Sequence, residues 1–286
     1  MTNLSHIRYA KSASKWTSSD LLAYNIRVSS QSPEDFYGQP LPAVESLSSL
    51  DPNLLSGTIH IQGLSEERCR FLGYLYLASR ANSNRQSAVD DLTKEILHML
   101  GYEKHGLILR SYCSIPLLSS GDPNRSAQTC VCLAQGLSAI LLVVQNKTIF
   151  NNHDPEPQVI AEAIATFQYN HNVRAQLDKS KCDSMTIPCI TMIGTQPTFY
   201  LVPVTQELSE AVATGQYPLS PTVVKKCAVT SNSHCLSESM QAPDFRQVAL
   251  QHFTAFCTLA EAHWSAFMLS EVPIDQRSVR SELDML

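Results

Sequence analysis

The sequence predicts an α/β protein: a mixed sheet flanked by helices, with an N-terminal arm and a long C-terminal helix. Three observations carry this. Helical periodicity over 84–100 gives way to strand-like runs between 106 and 147, then returns at 155–170. Residues 139–144 form a continuous apolar run, the signature of a strand covered on both faces. The chain is 286 residues with 44% apolar content, ample for a buried core.

Residues 1–58 are rich in Ser, Pro and Leu and lack a sustained period, so they read as an arm packing on the core. Trp16, Leu21, Leu22, Tyr24 and Ile26 are its expected anchors. A helix is expected over 65–80. Another follows over 84–100, with Val89, Leu92, Ile96 and Leu100 on one face and Gly101 as its stop. Three strands are expected, from Gly106, Ser126 and Ser138, with SSGDPNRS and Gln135-Gly136 as separators.

Asp154 is placed to cap the next helix, with Pro155 at its first position and Ile160, Ile164 and Phe167 as its buried stripe. PCITMIGT and PTFYLVPV read as a strand pair turning at Gln196-Pro197. TQELSEAVATG reads as a short helix closed by Gly215, followed by a polar loop to about 239. A long amphipathic helix spans 244–269. The expected α/β domain is thus 59–270, and 271–286 read as a flexible tail.

Composition excludes several functions. Twenty-one Lys and Arg against 26 Asp and Glu leave a net charge of −5, a poor basis for a dedicated phosphate-backbone binder. No apolar run reaches the roughly 18 residues of a membrane span. The first residues lack the apolar core of an export signal, so the expected location is intracellular, cytoplasmic or nuclear. Nine cysteines without dense spacing then read as reduced thiols. Cys130-x-Cys132 has no second pair to complete a zinc site. No G-x-S-x-G elbow, G-x-G-x-x-G loop or P-loop occurs.

The distinctive local feature is V-Q-N-K at the end of the third strand. Metal-dependent nucleases place Glu-x-Lys on such a strand, and residues two apart on a strand share a face. The stretches WTSSDLLAYNIRV, SAVDDLTKEILHMLGY, AQTCVCL, ILLVVQNKT, DPEPQVIAEAIATFQ and TMIGTQPTFYLVPVTQELSEAVATGQYP give the chain a wider resemblance over residues 16–260. It resembles a protein family of mushroom-forming fungi that looks like a branch of the PD-(D/E)XK nuclease-like superfamily. That resemblance implies a restriction-endonuclease-like fold, in which the helix after 154 follows the active strand.

The family pattern puts Glu near the start of the first long helix, then Thr-Asp-Val-Cys, then Val-Gln-Glu-Asp-Lys. Here those places hold Gln86, Cys130, and Gln145-Asn146 before Lys147. The resemblance therefore implies a degenerate site of Cys130, Gln145 and Lys147, bordered by Gln158, Glu162, Asp91 and Gln86. Mg²⁺ is a hard cation that favours carboxylates, and thiol and amide replace them. No metal and no cofactor are expected.

Three readings follow: a pseudo-nuclease serving as a binding or regulatory module; a nuclease with Asp90, Asp91 or Glu162 as replacement ligands; and an enzyme re-purposed around Cys130, Gln145 and Lys147 for a small or anionic substrate. A small anionic ligand or a protein is the favoured partner over a long nucleic acid, with no membrane.

Overall fold

The computed structural model describes residues 8–47, 55, 65–80, 86–104, 106–136, 139–149, 153–177, 179, 182–230 and 239–268. The expected tail at 271–286 lies outside them. The described residues build a seven-stranded mixed sheet with helices on both faces.

The N-terminal segment holds a 3₁₀ turn at Ala13–Lys15, helix α1 at Ser18–Ala23, strand β1 at Ile26–Ser30 and helix α2 at Pro33–Tyr37. It is more than a covering arm. Trp16, Leu21, Tyr24 and Ile26 are buried in one core layer, Phe36 and Tyr37 in the other, and β1 is an edge strand. Helices α3 (Glu66–Ser79) and α4 (Gln86–Met99) follow.

Next come β2 (Leu107–Ser111), β3 (Ser114–Ser119), β4 (Asp122–Gln128) and β5 (Val131–Gln135). Where the sequence predicts one strand from Gly106, the chain is broken by Tyr112, a non-glycine residue at φ 54°. The separator SSGDPNRS is itself mostly strand, all but Ser120 and Gly121. Ser120 and Gly121, both at positive φ, make the two-residue turn between β3 and β4. Registers Ser111–Val131 and Ser114–Gln128 lie on one continuous pairing, so these four strands form a single long hairpin bent at its middle. Its lower half joins the main sheet, and its upper half is a separate two-stranded layer.

Strand β6 (Ala139–Lys147) is buried along its length except at Lys147. It pairs antiparallel with β5 and parallel with β7 (Ser184–Ile193). Helix α5 (Glu156–Gln176) makes the crossover between those parallel strands. It begins one residue later than predicted, with Pro155 at the N-cap, while Asp154 Oδ1 accepts the Glu156 N–H at 3.0 Å. Strand β8 (Gln196–Thr205) turns back through Gly194-Thr195, ahead of the predicted Gln196-Pro197.

Helix α6 (Gln206–Thr214) starts at Thr205, whose Oγ1 accepts the Leu208 N–H, and stops at Gly215 in the left-handed region. Part of the expected loop is strand β9 (Thr222–Ala228), paired with β8 and parallel to β1. Helix α7 (Pro243–Trp264) follows and passes into a 3₁₀ turn at Ser265–Phe267, short of the predicted helix end at 269. The sheet order is β1-β9-β8-β7-β6-β5-β2.

Strand alternation divides the core. Leu142 and Val144 point to the layer of α3, α4 and α7, where Phe71, Leu92, Ile96, Phe253 and Phe256 pack. Ile140 and Val143 point to α5, against Val159, Ile160, Ile164 and Phe167. Because the bent hairpin and the N-terminal segment also cover α5, that helix is buried well beyond one stripe, from Pro157 to Phe167.

Candidate functional site

The polar end of β6 carries its side chains to two faces. By alternation from Val143, Gln145 and Lys147 face α5, and Asn146 faces α4. Cys130 lies beside this end: its N–H donates to Val144 O at 3.0 Å, and its sulfur accepts the Asn146 N–H at 3.4 Å. Cys130 is thus held against the β6 backbone at Asn146, between Gln145 and Lys147.

On the α5 face, Lys147 Nζ donates to Gln158 Oε1 at 3.0 Å, and Gln158 Nε2 donates to Glu162 Oε1 at 3.0 Å. One helical turn separates Gln158 from Glu162, so both reach the same face. Glu162 is wholly buried, and burial pushes its carboxyl well above the usual range; the Gln158 hydrogen bond and the Lys147 charge oppose this without reversing it. Burial thus favours its protonated form. Glu162 Oε2 and Gln145 Oε1 are buried without a hydrogen-bond partner, while Gln145 Nε2 donates to Asn146 O at 3.2 Å.

On the α4 face, Asn146 Nδ2 donates to Asp90 Oδ1 at 2.8 Å, and Tyr112 OH donates to Asp90 Oδ2 at 2.7 Å. The bond to Asp90, aided by desolvation, pushes the Tyr112 phenol up to about 12. Thr93 completes the group: its hydroxyl donates to Val89 O at 2.7 Å and lies 3.4 Å from Asn146 Oδ1. Asp90 is thus tied to the strand end from the opposite side.

Asp91 is not part of this assembly. It is exposed and lines a shallow groove with Tyr74, Lys94, Glu95, His98 and Glu103, where burial and the neighbouring Asp90 raise its carboxyl pKa. Gln86 opens α4, and its side chain lies outside the described residues. Glu156 pairs with Lys226 at 2.6 Å. The carboxyl groups of Asp90, Asp91 and Glu162 therefore do not converge. Among the described residues no three His, Cys, Asp or Glu side chains are grouped to hold a metal ion.

A cleft of about 460 Å³ opens over Lys147 and Gln158. One wall is Lys147, His153, Asp154, Pro157 and Gln158. The other is the N-terminal segment Ser14, Lys15, Trp16, Thr17 and Ser18. Trp16 is fixed by stacking on Tyr24 at 5.3 Å, and Asp20 holds the Thr17 N–H and hydroxyl at 2.8 Å. Sequence reasoning missed this second wall, since nothing in a Ser-rich arm shows where it docks. It also missed the Asn146–Asp90–Tyr112 group. A signal existed there: Asp90, Thr93 and Leu97 follow helical spacing beside the Val89–Leu92–Ile96 stripe, whereas Asp91 falls opposite it.

No helix among the described residues is long and apolar enough to cross a membrane. Comparison with known protein families and with curated proteins yields no match to this chain.

Proposed function

We propose that this chain is a nuclease-like domain whose catalytic strand has lost its metal-binding carboxylates, and that it works as a binding module through the cleft at the end of β6. The carrying observation is the end of that strand, where Gln145 and Lys147 share the face of Gln158 and the buried Glu162, and the Cys130 sulfur accepts the Asn146 N–H. The lysine of a hydrolytic site is retained, while thiol and amide occupy the places where hard-cation ligands are needed.

The restriction-endonuclease-like reading of the fold is supported by the order of α4, three antiparallel-paired strands, crossover α5 and parallel β7. The replacement-ligand reading is disfavoured because Asp90 serves Asn146 on the other face, and Asp91 points into a different groove.

The ligand class follows from the cleft. The lining brings together two ammonium groups, Lys15 and Lys147, and the hydroxyls of Ser14, Thr17 and Ser18, with Asp154 its one carboxylate among the described residues. An ammonium beside neutral amides attracts an anion, and the small volume and acidic chain favour a small one.

The test joins two measurements. By calorimetry, the wild-type protein takes up no Mn²⁺ at micromolar affinity, and Cys130→Asp with Gln145→Glu gains that affinity. In thermal-shift titration with orthophosphate and nucleoside monophosphates, wild type is stabilised and Lys147→Met is not. Micromolar Mn²⁺ binding by the wild type, or an equal anion shift in Lys147→Met, would overturn the proposal.

A further inference from the structure

The long hairpin bends at Ser111–Cys113 and Thr129–Val131, and two sulfurs meet inside that bend. Tyr112 N–H donates to Cys130 O, and Thr129 N–H donates to Cys113 O, both at 3.0 Å, so pairing continues through the corner. Flat pairing would place Cys113 opposite Thr129 and Cys132 opposite Arg110. The bend brings the two cysteines together instead, with Cys132 Sγ donating to Cys113 Sγ at 2.9 Å.

That separation is informative. Non-bonded carbon atoms rest at roughly 3.5–4.0 Å, and sulfur is larger, so these sulfurs are closer than passive packing requires. Two thiolates sharing a tetrahedral metal, each about 2.3 Å from it, would stand about 3.8 Å apart. The pair is too close for a shared metal. A disulfide needs about 2.05 Å, which a shift of under about 1 Å supplies.

We propose that Cys113 and Cys132 are a redox pair that closes into a reversible disulfide across the corner of the hairpin. Their chemistry is unequal in the way such a pair requires. The Cys132 hydrogen bond, with Arg110 and Lys94 nearby, brings the Cys113 thiol down to about 7 against the opposing effect of burial, while Cys132 is pushed up. Cys113 keeps 6% of its surface open and Cys132 none, so Cys113 meets an oxidant first.

With a small-molecule disulfide as oxidant, the Cys113 thiolate attacks one sulfur and releases the other half as a thiolate. Cys132 then loses its proton to solvent and attacks the Cys113 sulfur, expelling the second half. Two protein thiols are oxidised and one disulfide is reduced to two thiols.

Trypsin separates the partners, because cleavage after Arg110, Arg125 and Lys147 leaves Cys113 in 111–125 and Cys132 with Cys130 in 126–147. The reduced full-length protein is treated with oxidised glutathione at neutral pH, alkylated, digested and weighed. The expected product is 111–125 joined to 126–147 with loss of two hydrogens, reversed by dithiothreitol. It persists in Cys130→Ala. In Cys132→Ala it disappears, and Cys113 carries a glutathione adduct. Absence of the joined peptide from the wild-type protein, or its loss in Cys130→Ala, would overturn the assignment.

Discussion

Asp90 and Glu162 lie on opposite sides of one strand end and are stabilised by opposite means. Asp90 keeps two hydrogen-bond donors, Asn146 Nδ2 and Tyr112 OH, whereas Glu162 keeps only the Gln158 amide and burial raises its pKa. Removing Asp90 should therefore be felt through its partners. In Asp90→Ala the half-exposed Tyr112 hydroxyl can turn to water, but the wholly buried Asn146 amide loses its bond to the Asp90 carboxylate. The expected loss is about 1–3 kcal/mol, read as a lower denaturation midpoint at unchanged m-value. Tyr112→Phe should cost less than about 1 kcal/mol, because its partner retains Asn146. Equal losses in the two variants would show that the phenol, not the amide, holds Asp90 in place. At this scale the sequence was legible where a strict period applied. Strand alternation joins Gln145 to Lys147, and a four-residue helical step joins Gln158 to Glu162. Asp90 was legible over Asp91 by the same rule, since it borders the Val89–Leu92–Ile96 stripe while Asp91 falls opposite it; its partners Asn146 and Tyr112 were not, because they come from other elements.

Among the elements, those with an unbroken apolar period were readable: α4, β6 and α7 match their predicted spans to within a few residues. Those that escaped depend on a partner or on one backbone angle. Strand β9 alternates buried and exposed residues, but Lys225 and Lys226 give it a loop-like composition, and only pairing with β8 and β1 makes it a strand. The hairpin bend depends on the positive φ of Tyr112, which its residue type does not announce. The turn Gly194-Thr195 shows how such an angle supports the site. Gly194 N–H donates to Lys147 O at 2.8 Å, fixing the backbone of the cleft lysine. Its φ is 59°, and a Cβ there would come within 2.5 Å of Ile149 Cγ2. Gly121 also has positive φ, at 80°, with open space around it. Gly121→Ala should therefore cost only the backbone penalty, about 1–2 kcal/mol, and Gly194→Ala should cost more. Thermal unfolding of the two variants compares them directly. Equal losses would mean that Ile149 moves aside without cost.

For the whole molecule, the two layers flanking the sheet bury titratable groups that respond to pH in opposite directions. Beneath α5, Glu162 keeps a proton that the unfolded chain gives up above about pH 4.3, so its contribution falls as pH rises, by about 1.4 kcal/mol per unit. Beneath α7, His252 is pushed down to about 4 by burial, packed against Phe199 with its Nδ1 3.0 Å from the Tyr37 hydroxyl. It lacks a proton that the unfolded chain takes up below about pH 6.5, so its contribution falls as pH drops, with the same slope. His263, lowered mainly by burial, acts in the same direction. Between about pH 4.5 and 6.5 the Glu162 and His252 slopes oppose each other. Glu162→Gln keeps an acceptor for Gln158 and removes one slope, so its stability should climb with pH through that window and exceed wild type increasingly toward neutrality. His252→Gln removes the other slope and should lose stability relative to wild type through the same window as pH rises, and the double variant should run parallel to wild type. Denaturant unfolding of the four proteins at pH 4.5, 5.5 and 6.5 measures these differences, in which the remaining carboxylates and thiols cancel. A Glu162→Gln advantage that fails to grow with pH would mean that Glu162 is ionised in the fold. Lys147 would then face a counter-charge, and the cleft would have no cause to recruit an anion.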